Sequence, residues 1–575
     1  MRSRKLLVGA AVTTAALAAS LAAGPVTASA GSSGTTKADS ASAEKSYVVL
    51  AEEGASTAAL TTAVKAAGGK VVSVNRAIGL ATVTSKTNGF ATEVAASDAV
   101  VGAAVDRSIG KAPNGKAKRD AVERENLTAK GDTTAKGAAA AKGSKGAGMD
   151  PLDDKLWGLE MVKSDQARAT QPGERGVTVG ILDTGLDASH PDLAPNFDWK
   201  LSRNFATDLP DVDGPCEVPS CTDPVGTDDG GHGTHVAGTV AAAANNFGIS
   251  GVAPKVSLVE LKGGQDSGYF FLGPTVSALT YAGDAGIDVV NMSFYVDPWL
   301  YNCAANPADS EADQGEQRTI IAAMNRALDY AHENGVTLVG SLGNNHEDLG
   351  HPRTDTSSPD YPAGTSYPRP IDNDTCLDLP VEGNHVIGVS ALGPSEKKAD
   401  YSNYGVEQIS VAAPGGWFRD GFGTPSSRTN ENLILSTYPK ALLQESGEVD
   451  EDGNVTPDGE ALGTQKYCSD AKGCGYYVYL QGTSMASPHT SGVAALIVSE
   501  HGDKDRAHKG GLTLAPDRTE QILLDSAAEH ACPTPPTQTY TAEGRSPEFN
   551  ATCEGGTSFN GFYGHGIVDA LAAVS

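Results

Sequence analysis

From Gly482 to Ser499 the chain runs for eighteen residues without an Asp, Glu, Lys or Arg. The second half, Gly492-Val493-Ala494-Ala495-Leu496-Ile497-Val498, is apolar on every side. A helix with no polar face has to be buried, so this chain needs layers of structure to cover it. The first half, Gly482-Thr483-Ser484-Met485-Ala486-Ser487-Pro488, is small and polar and leads directly into that helix. Ser484 therefore sits at the helix N-terminus, where unpaired backbone N–H groups and the positive end of the helix dipole gather. A hydroxyl there caps the helix. It is also well placed to attack a carbonyl, because the resulting oxyanion meets donors already aimed at it.

The covering layers are legible. Val177–Leu182, Val256–Leu261, Ile287–Met292, Val336–Val339 and Val386–Ala391 are mostly apolar runs, the pattern of strands buried on both faces. Helical patterns over His232–Ala244, Pro274–Ala285, Thr319–Asn334 and Ser484–Glu500 alternate with them. The expected fold class is α/β, a mostly parallel sheet flanked by helices, spanning residues 150–575. Residues 203–229, 346–384 and 415–478 read as long, irregular insertions.

Ahead of it, residues 46–108 predict β-α-β-β-α-β, the order of a small ferredoxin-like α+β domain. Residues 109–149 lose all periodicity to Ala, Gly, Lys and Thr and read as a flexible linker that is easily cut. The chain starts with Arg2, Arg4 and Lys5, an apolar stretch from Leu6 to Ala23, and Ala28-Ser29-Ala30. That is a secretory signal removed after residue 30, so that 31–108 begins the exported protein. Eight cysteines, all after residue 215, suit an exported, disulfide-bonded body. They allow 105 pairings, of which nearest-neighbour pairing is one.

Residues 1–149 hold 19 Lys and Arg against 11 Asp and Glu, whereas the whole chain is −28, so residues 150–575 carry −36. So acidic a body does not suit nucleic acid or an anionic membrane as a partner. It does suit solubility and Ca²⁺.

Three stretches carry chemistry. Asp183, in Asp183-Thr184-Gly185, ends the first buried strand. His232, in Gly231-His232-Gly233-Thr234-His235, starts a helix. Ser484 follows last. Together they resemble the subtilisin-like serine proteases, whose motif blocks come in this order, Asp, His, Ser. The resemblance spans roughly 150–575. It implies a serine endopeptidase in which His232 takes the Ser484 proton and Asp183 fixes the His232 tautomer. It also implies that residues 31–108 form an inhibitory propeptide acting within the chain, and that the active enzyme is a secreted monomer working on proteins and peptides. Val339-Gly340-Ser341-Leu342-Gly343-Asn344 resembles the family's oxyanion block and makes Asn344 the second oxyanion donor. Ser341, Leu342 and Gly343 would then form one wall of the substrate site, and Ser293 and Phe294 the other. The family commonly has Gly near Phe294-Tyr295, so the resemblance leaves the residue before the cleaved bond undecided. His190-Pro191-Asp192 and Asn245-Asn246-Phe247-Gly248-Ile249 resemble the family's calcium loop. Side-chain oxygens of Asp192 and Asn245 and carbonyls of Phe247 and Ile249 would be the ligands.

Other readings compete. Asp183-Thr184-Gly185 and Asp266-Ser267-Gly268 could form the carboxylate dyad of an aspartic protease. An α/β-hydrolase needs G-x-S-x-G with the Ser ahead of its partners, and here Ala486 replaces the last Gly and Ser484 comes last. A secreted calcium-binding or adhesive protein could keep the fold without activity. His232 and His235, three apart, could be metal ligands, but no third ligand is evident.

Overall fold

The computed structural model describes residues 44–106, 122–125 and 150–575, apart from 211, 297, 361–363, 509 and 510. The expected signal, 1–30, and most of the expected linker lie outside the described residues. Among those described, no helix is long and apolar enough to cross a membrane.

The N-terminal unit has the expected order: β1 (Lys45–Ala51), α1 (Thr57–Ala66), β2 (Gly69–Asn75), β3 (Leu80–Ser85), α2 (Phe90–Ala95) and β4 (Val100–Val105). Its sheet is antiparallel, in the order β2-β3-β1-β4. Alternation splits the strands between two faces. Tyr47, Val49, Ala81 and Val83 pack under the two helices with Leu60, Val64 and Phe90. Val48, Leu50, Leu80 and Ala104 face the other way and join the core of the large domain.

That domain is built on β5 (Thr178–Asp183), β6 (Arg203–Asn204), β7 (Ser257–Lys262), β8 (Val289–Met292), β9 (Thr337–Ser341), β10 (Val386–Leu392) and β11 (Val411–Pro414). They form one parallel sheet in the order β11-β10-β9-β8-β5-β7-β6. Helix α3 (His232–Ala241) lies on one face, and α4 (Leu272–Ala285) and α5 (Glu311–Glu333) on the other; α6 (Thr483–His501) joins α3. Val179 and Ile181 pack with Val236, Val240 and Val493, while Val259, Leu261 and Val290 pack with Val276, Leu279 and Ile320. The fold class and its five central strands are as the sequence reads. The edge strands β6 and β11 are too short to leave a periodic signal.

The stretch 415–478 is not irregular. It carries an antiparallel sheet of β12 (Ile434–Thr437), β14 (Gly473–Leu480) and β13 (Gln465–Ser469), with β14 central. β14 delivers the chain to α6. The cysteines pair as nearest neighbours: Cys216–Cys221, Cys303–Cys376, Cys468–Cys474 and Cys532–Cys553.

Arg369 pins the 346–384 insertion to α5. The side chain is wholly buried. It donates to Asp309 at 2.8 and 2.9 Å, to Asp355 at 3.1 Å and to Gln317 at 2.7 Å, over the Trp299 ring. Removing one partner of a buried ion network leaves the others charged and unpaired, which costs about 3–5 kcal/mol. Arg369→Leu should lower unfolding stability by that amount, read from the shift in denaturant midpoint. An unchanged midpoint would show that the network contributes nothing.

Candidate active site

The three motif blocks meet at the carboxyl end of the sheet, where ligands bind in open α/β folds. Asp183 is the last residue of β5 and is wholly buried. His232 opens α3, and its Nδ1–H donates to Asp183 Oδ1 at 2.8 Å, with Oδ2 at 3.0 Å. The approach is close because the next residue is glycine: a Cβ on Gly233 would lie 2.1 Å from the Gly185 carbonyl oxygen. Asp228, not singled out in the sequence, joins the two blocks. It caps α3 by accepting from Gly231 N–H at 2.7 Å and Thr234 N–H at 2.9 Å. It also accepts from the Thr184 hydroxyl at 2.8 Å, beside Asp183.

Ser484 is in the first turn of α6, and its hydroxyl donates to the Ser293 carbonyl at 3.3 Å. Pro488 explains the neighbouring contact. It has no N–H to give the Ser484 carbonyl four residues back, and the Ser293 hydroxyl donates to that carbonyl instead, at 3.2 Å. Asn344 lies alongside. Its side-chain carbonyl accepts from Thr483 N–H and hydroxyl at 2.9 and 3.0 Å, which turns its NH₂ away from Thr483.

These groups share a cleft of about 500 Å³, lined also by Phe294, Ser341, Gly343, Phe270 and Asp378. Phe294 stacks on Phe270 at 3.9 Å. Ser293 points its hydroxyl at α6, touching Ser487 at 2.7 Å, so only its backbone serves the cleft. Leu342 is not part of the lining. Its side chain is wholly buried beside Leu300 and Val381, and its N–H and carbonyl are paired with Val389 and Asn403.

Residues 122–125 occupy part of the cleft. The Gln481 N–H donates to the Glu123 carbonyl at 3.2 Å, and the Gln481 amide to the Val122 carbonyl at 2.9 Å. The Glu123 carboxylate sits 3.3 Å from His232 Nε2, the nitrogen that would serve Ser484. Burial opposes charge on this ring, but Asp183 on one nitrogen and Glu123 on the other outweigh it and raise its pKa well above the usual histidine range. A ring held as imidazolium cannot take a proton. Glu125 is fixed by Arg419 and Arg545, and Arg124 by Glu448.

The aspartic dyad does not form. Asp183 is paired with His232, and Asp266 with Lys262 at 2.6 Å. His235 points into the protein against the Ile434 and Val478 carbonyls, and burial pushes its pKa down to about 3.

The four residues read as calcium ligands come together in an arrangement that does not fit the ion. Asp192 accepts from Ile249 N–H at 3.0 Å, the Tyr477 hydroxyl at 2.8 Å and the Asn245 amide at 3.2 Å. The side-chain and backbone oxygens of Asn245 both face the Lys472 ammonium at 2.7 Å. Calcium needs six to eight oxygens around a common centre. Here N–H and O–H groups take the carboxylate and a lysine supplies the positive charge. Carboxylates converge elsewhere among the described residues: oxygens of Asp208, Glu217 and Asp266 lie within 4.8 Å of one another, as do those of Glu217, Asp223 and Asp229.

Residues 174–566 match the model of the subtilase family. Subtilisin DY of Bacillus licheniformis is 29% identical over 345 residues, 60% of this chain and 85% of that one. Thermitase of Thermoactinomyces vulgaris is 26% identical over 349 residues, 60% of this chain and 83% of its own. Among solved structures, the epidermin leader peptide processing serine protease of Staphylococcus aureus aligns with a TM-score of 0.56 at 19% identity, over 92% of this chain and 99% of that one. This last likeness is one of fold. The family match covers more than half of the chain and includes all three motif blocks, so the chain belongs to the subtilase family, as a subtilisin-like serine endopeptidase.

Proposed function

We propose that this is a secreted serine endopeptidase made as a self-processing precursor, with Ser484 as nucleophile, His232 as general base and acid, Asp183 as orienting group and Asn344 as oxyanion donor. The Asp183–His232 pair, opening onto the same cleft as the first turn of α6, carries the reading. Once Glu123 leaves and the Nε2 proton is lost to solvent, that nitrogen takes the Ser484 proton as Oγ attacks the peptide carbonyl. The oxyanion forms beside the Asn344 NH₂ and the N-terminus of α6. His232 then returns the proton to the leaving amine, and water releases the acyl-enzyme by the reverse steps. Apolar residues 6–23, Ala28-Ser29-Ala30 and four disulfides support export.

The wild type should be secreted trimmed to about residue 150 and should hydrolyse casein. Ser484→Ala should stay near full length and inert, by mass and by casein assay. A Ser484→Ala protein that still cleaves casein would remove Ser484 from the mechanism.

The N-terminal domain and residues 122–125 keep the precursor silent, the latter because the Glu123 carboxylate favours the protonated form of His232. The ion pair is complete while the ring is charged. With the bound pKa raised, its contribution is fully present below the free histidine pKa and is lost as pH rises through the higher bound value. A separately made 31–149 fragment should therefore inhibit the mature enzyme less as pH rises through that bound value. Glu123→Gln in the fragment should weaken inhibition about tenfold at pH 6, or ~1.4 kcal/mol, and flatten the pH dependence. Inhibition constants that are equal at pH 6 and above the bound pKa, for both fragments, would rule out this contact.

We place the expected calcium at Asp208, Glu217 and Asp266 rather than at Asp192. Asp208 is 2% exposed, and neither of its carboxylate oxygens has a hydrogen-bond partner among the described residues. Lys262, the nearby cation, is already shared between Asp223 at 2.9 Å and Asp266 at 2.6 Å. A hard divalent ion suits such carboxylates. It would tie the 203–229 insertion to the Asp266–Phe270 edge of the cleft. Calcium retained per chain by Ser484→Ala protein after dialysis should fall by one ion with Asp208→Asn and stay unchanged with Asp192→Asn. The same count in all three proteins would refute the placement.

A further inference from the structure

We propose that Asp378 sets the substrate preference, and that the enzyme cleaves after a lysine or arginine. The proposal rests on the protease reading above and names its substrate class.

Asp378 lines the same cleft as Ser484, Asn344, Ser341 and Gly343. It stands directly behind the wall formed by the Ser341–Gly343 segment: a Cβ on Gly343 would lie 3.5 Å from Asp378 Oδ2. That wall leads into Asn344, so a side chain entering beside it belongs to the residue whose carbonyl is attacked. The residue is 3% exposed. Among the described residues no donor hydrogen-bonds to its oxygens and no Lys, Arg or His forms an ion pair with it.

A buried carboxylate without a partner is costly, and folded chains ordinarily pair such groups. This chain does so elsewhere. Asp309 and Asp355 share Arg369, and Asp223 and Asp266 share Lys262. At Asp378 the surroundings instead disfavour the charged form while the cleft is empty. Glu382 lies next to it, its carboxylate accepting the Asp378 N–H at 2.5 Å. Burial, Glu382 and Asp355 all hold the Asp378 pKa well above the ordinary carboxylate range. Arg369 is already committed to Asp309, Asp355 and Gln317. An arriving cation would favour the charged form, and the side open to it is the cleft. A lysine or arginine side chain fits a pocket that ends in a carboxylate: its apolar stem passes between Phe294 and the Gly343 backbone, and its charge meets Asp378. The chain contains a substrate of this kind, with ten Lys and Arg between residues 107 and 149.

The test is a set of tetrapeptide anilides that differ only in the residue before the cleaved bond, Arg, Lys, Leu, Phe or Gln, assayed with the mature wild type and with Asp378→Asn. In the wild type, kcat/KM for Arg and Lys should exceed that for Leu, Phe and Gln at least tenfold. In Asp378→Asn, the Arg and Lys values should fall about a hundredfold and the Leu value change less than threefold. Faster cleavage after Leu, Phe or Gln by the wild type overturns the proposal without any variant. So does an Asp378→Asn enzyme that keeps the basic preference. Either result leaves the protease reading intact, whereas hydrolysis that survives Ser484→Ala would remove both.

Discussion

The cleft depends on one junction, where the carboxyl end of β5 meets the first turn of α3. Two buried carboxylates hold it. Asp183 takes the His232 ring and the Thr184 N–H, at 2.8 Å each. Asp228 takes the N-terminal N–H groups of α3 and the Thr184 hydroxyl. A negative group at a helix N-terminus is favoured by the unpaired N–H groups and by the dipole, so the cap that ends the loop also fixes the ring. Gly233 has no side chain to keep the helix from the strand. The geometry of the Asp183–His232 pair is therefore a product of ordinary helix capping and close packing.

The second fixed point is α6. A proline inside a helix leaves one carbonyl without its partner, and here that carbonyl belongs to Ser484. The Ser293 hydroxyl that meets it comes from the segment just after β8, so Ser484 is referenced to the central sheet. Thr483 does the same for Asn344 and Gly343, accepting from the Gly343 N–H while donating to the Asn344 amide. Residues adjacent in sequence to Ser484 thus position both sides of the cleft.

Charge is handled differently in each part of this acidic domain. Internal cations neutralise some groups: Arg369 beneath the 346–384 insertion, Lys262 beside the cleft, Lys472 at the loop of Asn245. Asp378 and Asp208 have none paired with them among the described residues, and Asp378 lines the cleft. At His232 an acid from residues 122–125 pairs with Nε2 of the ring, at 3.3 Å.

Much of this was legible in the sequence. Apolar runs alternating with helical patterns gave the central strands, since burial on both faces removes polar residues from a parallel strand. Period-two patterns gave the small N-terminal unit, and three glycine-bearing blocks named Asp183, His232 and Ser484. These are local signals, carried within a dozen residues each. What local signals miss are contacts between distant residues. The two- and four-residue edge strands are defined by their neighbours in the sheet, not by their own pattern. Asp228 reads as one acid among many until its partners are known. Lys472 lies 227 residues from Asn245, and its ammonium at those oxygens turns a calcium-like loop into a hydrogen-bonded one. Glu123 looked like linker and lies against a histidine more than a hundred residues away. The sequence by itself determined the layered fold and the chemical class of the reacting groups, because burial periodicity and side-chain identity are properties of single segments. Only the tertiary structure decided which charges are paired and which face the cleft, because Coulomb energy and desolvation depend on what stands within a few ångströms and not on order along the chain.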